Sequence, residues 1–237
     1  MSKAKLATVA LASAGMLLLS AVSPAQAHVS IIPGVTAAGS TTDALTAGKS
    51  GYLNFRIGHG CTLEKPTVNP VTNTSLVGTK YGTSVFSVDI PVLAQGTGTT
   101  IPKAAWVPGF KTSVVKDATT NVYTITWTAI SKDFIIPDGP DGTTGANTYF
   151  DFGVRIQWAA AAAGQTVFFK AVQTCQVDVP GVKGRKATKT KPAVRTVHPQ
   201  SFSIFNSWDV TDGSGADTVA DETEHNTAPS VTVLPAA

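Results

Sequence analysis

The chain has 237 residues, 43% of them hydrophobic and 14% charged, with a formal net charge of +3. That length allows one or two domains with a substantial core, and the low charge content excludes a solvated, disordered chain. The basic residues gather between Lys183 and Arg195 without interleaved aromatics, which describes a solvated loop and not a nucleic-acid surface.

The N-terminus reads as a secretory signal over residues 1–27. Lys3 and Lys5 precede an apolar run from Leu6 to about Val22, and Pro24-Ala25-Gln26-Ala27 follows with small residues in the A-x-A cleavage pattern. The run is short for a membrane anchor. Cleavage after Ala27 predicts a mature chain, 28–237, that starts at His28 and forms a single domain. Losing Lys3 and Lys5 lowers the formal charge from +3 to +1.

Beyond residue 28 helical periodicity is almost absent. Short runs rich in Val, Thr, Ile, Phe and Tyr recur between Gly, Pro, Asn and Asp. Strands are expected at Gly51–Ile57, at Ser84–Ile90 with Phe86, Val88 and Ile90 facing the core, and at Val122–Thr128 with Tyr123, Ile125 and Trp127 on one face. Thr148–Trp158 and Thr166–Thr174 read as two longer neighbours, joined by a possible helical turn at Ala159–Ala163. A last strand is expected at Ser230–Leu234. Loops are expected over Thr67–Gly82, over Pro137–Asn147, in an insertion-like basic stretch near 178–200, and in an acidic stretch over Asp209–Asn226. Seven or more such strands predict an all-β, antiparallel β-sandwich of immunoglobulin or cupredoxin type, with a closed barrel as the alternative.

The chain has two cysteines, Cys61 and Cys175. In an oxidising compartment they are expected to pair and tie two distant parts of the sheet structure together; a thiolate metal site is the alternative, weakened by the lack of a C-x-x-C spacing. The ending Val231-Thr232-Val233-Leu234-Pro235-Ala236-Ala237 has neither a hydrophobic tail nor a sorting signal. The expected product is therefore extracytoplasmic, without a membrane anchor after cleavage.

His28 carries the most pointed chemistry. A mature N-terminal histidine offers its α-amine and ring Nδ1 to one metal, and the amine, with a pKa near 7.7–8, yields its proton to metal near neutrality. Nitrogen donors of this kind suit Cu(II) best among the available divalent ions. His59 lies in a Gly-His-Gly turn, where the plain reading is a solvated side chain. Glu64, beside Lys65, reads plainly as half of a surface pair. Trp106, Trp127 and Trp158 read as core or sheet-face aromatics, His225 as structural and His198 as a loop residue. The acids Asp209, Asp212, Asp217, Asp221, Glu222 and Glu224 lack the spacing of a calcium loop. No nucleophile elbow and no phosphate-binding glycine loop occurs.

Several motifs stand in a recognisable order: Ala27-His28-Val29-Ser30-Ile31-Ile32-Pro33, Phe55-Arg56-Ile57-Gly58-His59-Gly60-Cys61, Val88-Asp89-Ile90-Pro91, Trp106-Val107-Pro108-Gly109-Phe110, Tyr123-Thr124-Ile125-Thr126-Trp127-Thr128, Phe150-Asp151-Phe152, Phe168 to Cys175, and Glu224 to Thr232. Together they resemble the YcnI-like family of exported bacterial proteins, over nearly the whole mature chain. The resemblance implies a β-sandwich that binds Cu(II) through a single-histidine brace, with a carboxylate and a tryptophan near the metal. His28 corresponds directly, and Trp208 is the tryptophan that matches, with Trp127 as a rival. The family's glutamate follows the "FRV" strand, where this chain has His59-Gly60-Cys61; Glu64 or His59 would take that place. The implied function is copper homeostasis or trafficking with no reaction required, the partners being the copper ion and other copper-trafficking proteins at the cell surface. Two readings compete with it. One is a copper enzyme resembling a lytic polysaccharide monooxygenase, with His59 or His225 as second histidine. The other is a metal-free wall-associated structural or adhesive sandwich.

Overall fold

A computed structural model describes residues 29–34, 43–58, 60–63, 66–97, 100–136, 149–211 and 224–236. The described strands, in chain order, are β1 (Val29–Pro33), β2 (Ser50–Ile57), β3 (Cys61–Thr62), β4 (Val68–Asn69), β5 (Thr74–Ser75), β6 (Lys80–Tyr81), β7 (Thr83–Ile90), β8 (Lys103–Ala104), β9 (Phe110–Lys116), β10 (Tyr123–Ala129), β11 (Phe150–Gln157), β12 (Thr166–Phe168), β13 (Ala171–Val179), β14 (Gln200–Val210), β15 (Glu224–Thr227) and β16 (Ser230–Thr232). Four of them form one sheet in the order β1-β2-β11-β8, and six form the other in the order β15-β14-β13-β7-β10-β9. Pairing is antiparallel throughout both sheets except between β14 and β15, which run parallel. The protein is an all-β, predominantly antiparallel β-sandwich with one disulfide.

Period-two alternation decides which side chains fill the space between the sheets. Leu53, Phe55 and Ile57 of β2 are buried, as are Phe86, Val88 and Ile90 of β7 and Tyr123, Ile125 and Trp127 of β10. The aromatics interlock across the sandwich: Phe152 of β11 meets Phe86 at 4.9 Å and Trp127 at 5.0 Å between ring centroids, and Phe55 meets Phe169 edge-on at 5.5 Å. On the outer face of the smaller sheet Arg56 and Asp151 are cross-strand partners, and the guanidinium donates two hydrogen bonds of 2.8 Å to the carboxylate. Tyr149 covers that guanidinium at 3.4 Å. The bond to Asp151 favours the charged guanidinium and raises its pKa further above the ordinary value.

Cys61 and Cys175 are joined, with 5.9 Å between their Cα atoms and a sequence separation of 114. Both thiols are consumed, so the alternative of a thiolate metal site falls. Cys175 sits inside β13 where the register with β7 shifts, and not at the strand's end as the sequence suggested. Beyond the disulfide lies a second, smaller core of Leu63, Val177 and Val179, packed by Leu76, Tyr81, Phe202 and Ile204. Burial in this cluster pushes the Tyr81 phenol upward from its ordinary pKa.

The expected strand Thr166–Thr174 is in fact two. β12 pairs with β16, and β13 joins the larger sheet. Val167, Phe169, Ala171 and Gln173 are all buried, so alternation runs unbroken through the change of partner and hides it. The expected helical turn is a short 3-10 turn at Ala160–Ala162. Trp106 corrects the reading of it as a core or sheet-face aromatic: it is 80% exposed, in the turn between β8 and β9.

At the far end of β13, Asp178 accepts hydrogen bonds from Lys132 at 2.5 Å and from Ser201 at 2.6 Å. The Lys132 contact, then the Ser201 hydroxyl, holds the Asp178 carboxyl below the ordinary aspartate range. A depressed folded-state pKa gives stability that is present above the unfolded value and lost as pH falls through the folded one. The pair is exposed, so its contribution is expected to stay below about 1 kcal/mol. A carboxyl-detected NMR titration is expected to place the Asp178 midpoint below that of an unstructured aspartate, and Lys132→Met is expected to move it back up.

Candidate metal centre

The sequence named His28, His59, Glu64 and Trp208 as metal-site residues. His28, His59 and Glu64 lie outside the described residues, as do the signal-like segment, the Pro137–Asn147 loop and the acids Asp212, Asp217, Asp221 and Glu222. The described residues on either side fix where the flanks of these segments meet. Val29, the residue after His28, opens β1; it is 7% exposed and pairs with Ile57, the last residue of β2. Gly58 follows Ile57 and precedes His59; Gly60 then leads to the buried, disulfide-bonded Cys61. The flanks of His28 and His59 therefore meet at one end of the smaller sheet.

Trp208 stands in β14 between Ala171 of β13 and Asn226 of β15. Its side chain is 1% exposed and belongs to the same core cluster as Val29. Among the described residues its indole Nε1 has no hydrogen-bond partner, and neither has Nδ2 of the neighbouring Asn226. The other buried tryptophans differ: Trp158 Nε1 donates to the Ala44 carbonyl at 2.7 Å and Trp127 Nε1 to that of Ala105 at 3.2 Å. An indole N–H is a donor only, so Trp208 is suited to border a metal or face an acceptor, not to ligate through that nitrogen. This contrast favours Trp208 over Trp127 as the tryptophan with work left to do.

It also sets a stability test. Trp208→Phe keeps most of the volume and removes a donor without a partner, so its cost in urea unfolding is expected below about 1.5 kcal/mol. Trp158→Phe strands the buried Ala44 carbonyl and is expected to cost about 1–3 kcal/mol more than that.

His225 of β15 is tied to Asp209 of β14, Nδ1 to Oδ1, at 2.8 Å. A carboxylate oxygen accepts, so Nδ1 is the donor in this bond. Carboxylates commonly orient ligating histidines in this way. However, His225 pairs with Ser207, one residue before Trp208, and successive residues of a strand point to opposite faces. His225 and Trp208 thus lie on opposite faces of the larger sheet, which separates this histidine from the tryptophan the sequence assigned to the metal. The Asp209 partnership was not legible in the sequence, because the parallel pairing of β14 with β15 leaves no local signal. Among the described residues no group of three or more His, Cys, Asp or Glu side chains is placed to hold a metal ion. No helix among them is long and apolar enough to cross a membrane.

No protein-family model matches the chain, and no curated protein does. Among solved structures, the chain is similar to an uncharacterized protein from Nocardia farcinica whose crystal structure is described as an immunoglobulin-like fold. The two are 16% identical, with a TM-score of 0.45, over 87% of this chain and 98% of that one.

Proposed function

We propose that the protein is an extracytoplasmic Cu(II)-binding protein of copper homeostasis or trafficking, which takes the metal through the α-amine and ring Nδ1 of a mature N-terminal His28. The observation that carries this reading is where the first strand begins. β1 opens at Val29, two residues after the Ala25-Gln26-Ala27 boundary, and Val29 is buried and paired with Ile57. An N-terminus generated at residue 28 would be tethered directly to a rigid sheet edge, which lowers the entropy lost when amine and imidazole close on one ion. Two further features support it. The strand after His28 begins beside Ile57, two residues before His59 in sequence, and Trp208 shares a core cluster with Val29 while keeping an indole N–H without a partner among the described residues. The disulfide fits an oxidising compartment. The metal is cargo in this reading, and no reaction is required of the protein.

The test is a Cu(II) titration of the mature protein by calorimetry and EPR, beside His28→Ala. One tight equivalent with nitrogen couplings, lost in the variant, is the expected result. Cu(II) is also expected to quench tryptophan emission, and Trp208→Phe to remove most of the quenching. Equal binding by both proteins would overturn the proposal.

A further inference from the structure

The structure turns the basic stretch that the sequence assigned to a loop into a built arm. Two antiparallel legs rise from the ends of β13 and β14 and are closed at three levels. Val182 and Val197 exchange backbone hydrogen bonds of 2.8 and 2.9 Å, Arg185 and Val194 exchange two of 2.9 Å, and Thr188 N–H donates to the Lys191 carbonyl at 2.8 Å. The legs approach so closely that a Cβ on Gly184 would meet Thr196 Oγ1 at 2.3 Å, and one on Gly181 would meet Pro199 at 2.7 Å. Two glycines are thus needed for the arm's shape.

On this arm stand Lys183, Arg185, Lys186, Lys189, Lys191 and Arg195, all exposed, with no acidic residue between Val179 and Gln200. None of the six forms an ion pair among the described residues. Asp178, the acid at the arm's root, is already held by Lys132 and Ser201. With residues 1–27 removed, the arm carries a formal +6 and the rest of the chain −5. So uneven a distribution gives a strong local field despite near-zero net charge.

We propose that this arm is a docking element for a linear polyanion, a flexible polymer with repeating phosphate or carboxylate groups. Three features select that partner. The cations run along both legs and the tip, so a flexible chain that wraps the arm reaches more of them than a flat surface does. The tip, Ala187 to Pro192, has no aromatic or large apolar side chain to enter a bilayer or stack on a base. The acidic body would also be repelled by an extended anionic surface, whereas a single strand can engage the arm alone. The inference does not depend on copper binding.

The experiment uses the mature full-length protein and the variant Lys183→Gln/Lys186→Gln/Lys189→Gln/Lys191→Gln. Both are titrated with long-chain inorganic polyphosphate, with polygalacturonate and with phosphatidylglycerol vesicles, at several salt concentrations. The substitutions are at exposed positions, and an unchanged melting temperature checks the fold. Binding to at least one polymer, with log Kd rising against log salt by roughly 0.7 per engaged cation, is the expected result. In the variant, affinity at low salt should fall by at least about tenfold and the slope by roughly 2–3. Which polymer binds more tightly identifies the anion. Tighter binding to vesicles than to either polymer, binding unaffected by the substitutions, or no binding at low salt would each overturn the proposal.

Discussion

Extending the mature N-terminus by one residue, so that His28 becomes the second residue, is expected to cost at least roughly 100-fold in Cu(II) affinity, while the melting curve without metal stays the same. Loss of an outer-shell partner alone typically costs 10- to 100-fold, and this change removes half of a chelate. The extension leaves the imidazole in place but converts the amine into a peptide nitrogen, whose lone pair is delocalised into the amide. It also moves the free amine away from the ring and breaks the direct amine–Nδ1 chelate. The fold should not notice, because the first buried side chain of β1 is Val29 and its partner Ile57 is untouched. The amine must lose its proton to bind, so the native protein's apparent affinity is expected to rise with pH up to about 8 and then level off. Identical isotherms for the two proteins would mean that any copper seen is held elsewhere.

Replacing both cysteines, Cys61→Ala with Cys175→Ala, is expected to lower stability by about 5 kcal/mol on the chain-entropy account of a loop this long. For a protein of this size that corresponds to a fall of about 10–20 °C in melting temperature. The effect is large because the bridge spans 114 residues of sequence. It also sits between the main aromatic core and the small cluster of Leu63, Val177 and Val179. That cluster has too few side chains to hold the chain from β3 to β6 against β13 by itself, so its protons are expected to exchange faster in the variant than those of β7 and β10. Differential scanning calorimetry and hydrogen exchange check both parts. An unchanged melting temperature, or two titratable thiols in the native protein, would sink the expectation.

Strands with aromatic alternation were legible in the sequence because one face of each is buried and the other wet. β2, β7, β10 and β11 all have this character, with Phe55, Phe86, Trp127 and Phe152 at the sandwich centre. β9 was not legible: it is an edge strand in which only Phe110 is buried, so its residues carry no pattern. β14 was missed for a related reason. Its first half alternates exposed with half-buried residues, and its buried stretch, Asn206-Ser207-Trp208, is mostly polar. Trp106 was misjudged because residue type reports hydrophobicity, not where a strand stops. The metal site is a different matter. A brace of the proposed kind is made by a cleavage event and one residue, so no spacing or periodicity can encode it; the A-x-A boundary before His28 and the family resemblance were its signals. The His225–Asp209 pair needed the three-dimensional pairing of β14 with β15 to be seen at all.

The order of strands has a consequence for how the chain acquires its structure. β2 is flanked by β1 and by β11, which follows about a hundred residues later, and β13 lies between β7 and β14. Neither sheet can complete its central strand from neighbours in sequence. High contact order of this kind puts folding on the millisecond-to-second scale. During vectorial emergence from a ribosome or a translocation pore, the first half of the chain can form local hairpins such as β9–β10, but no closed core. Native structure has to wait until β11 and β13 are free, and the cross-link from Cys61 waits with it.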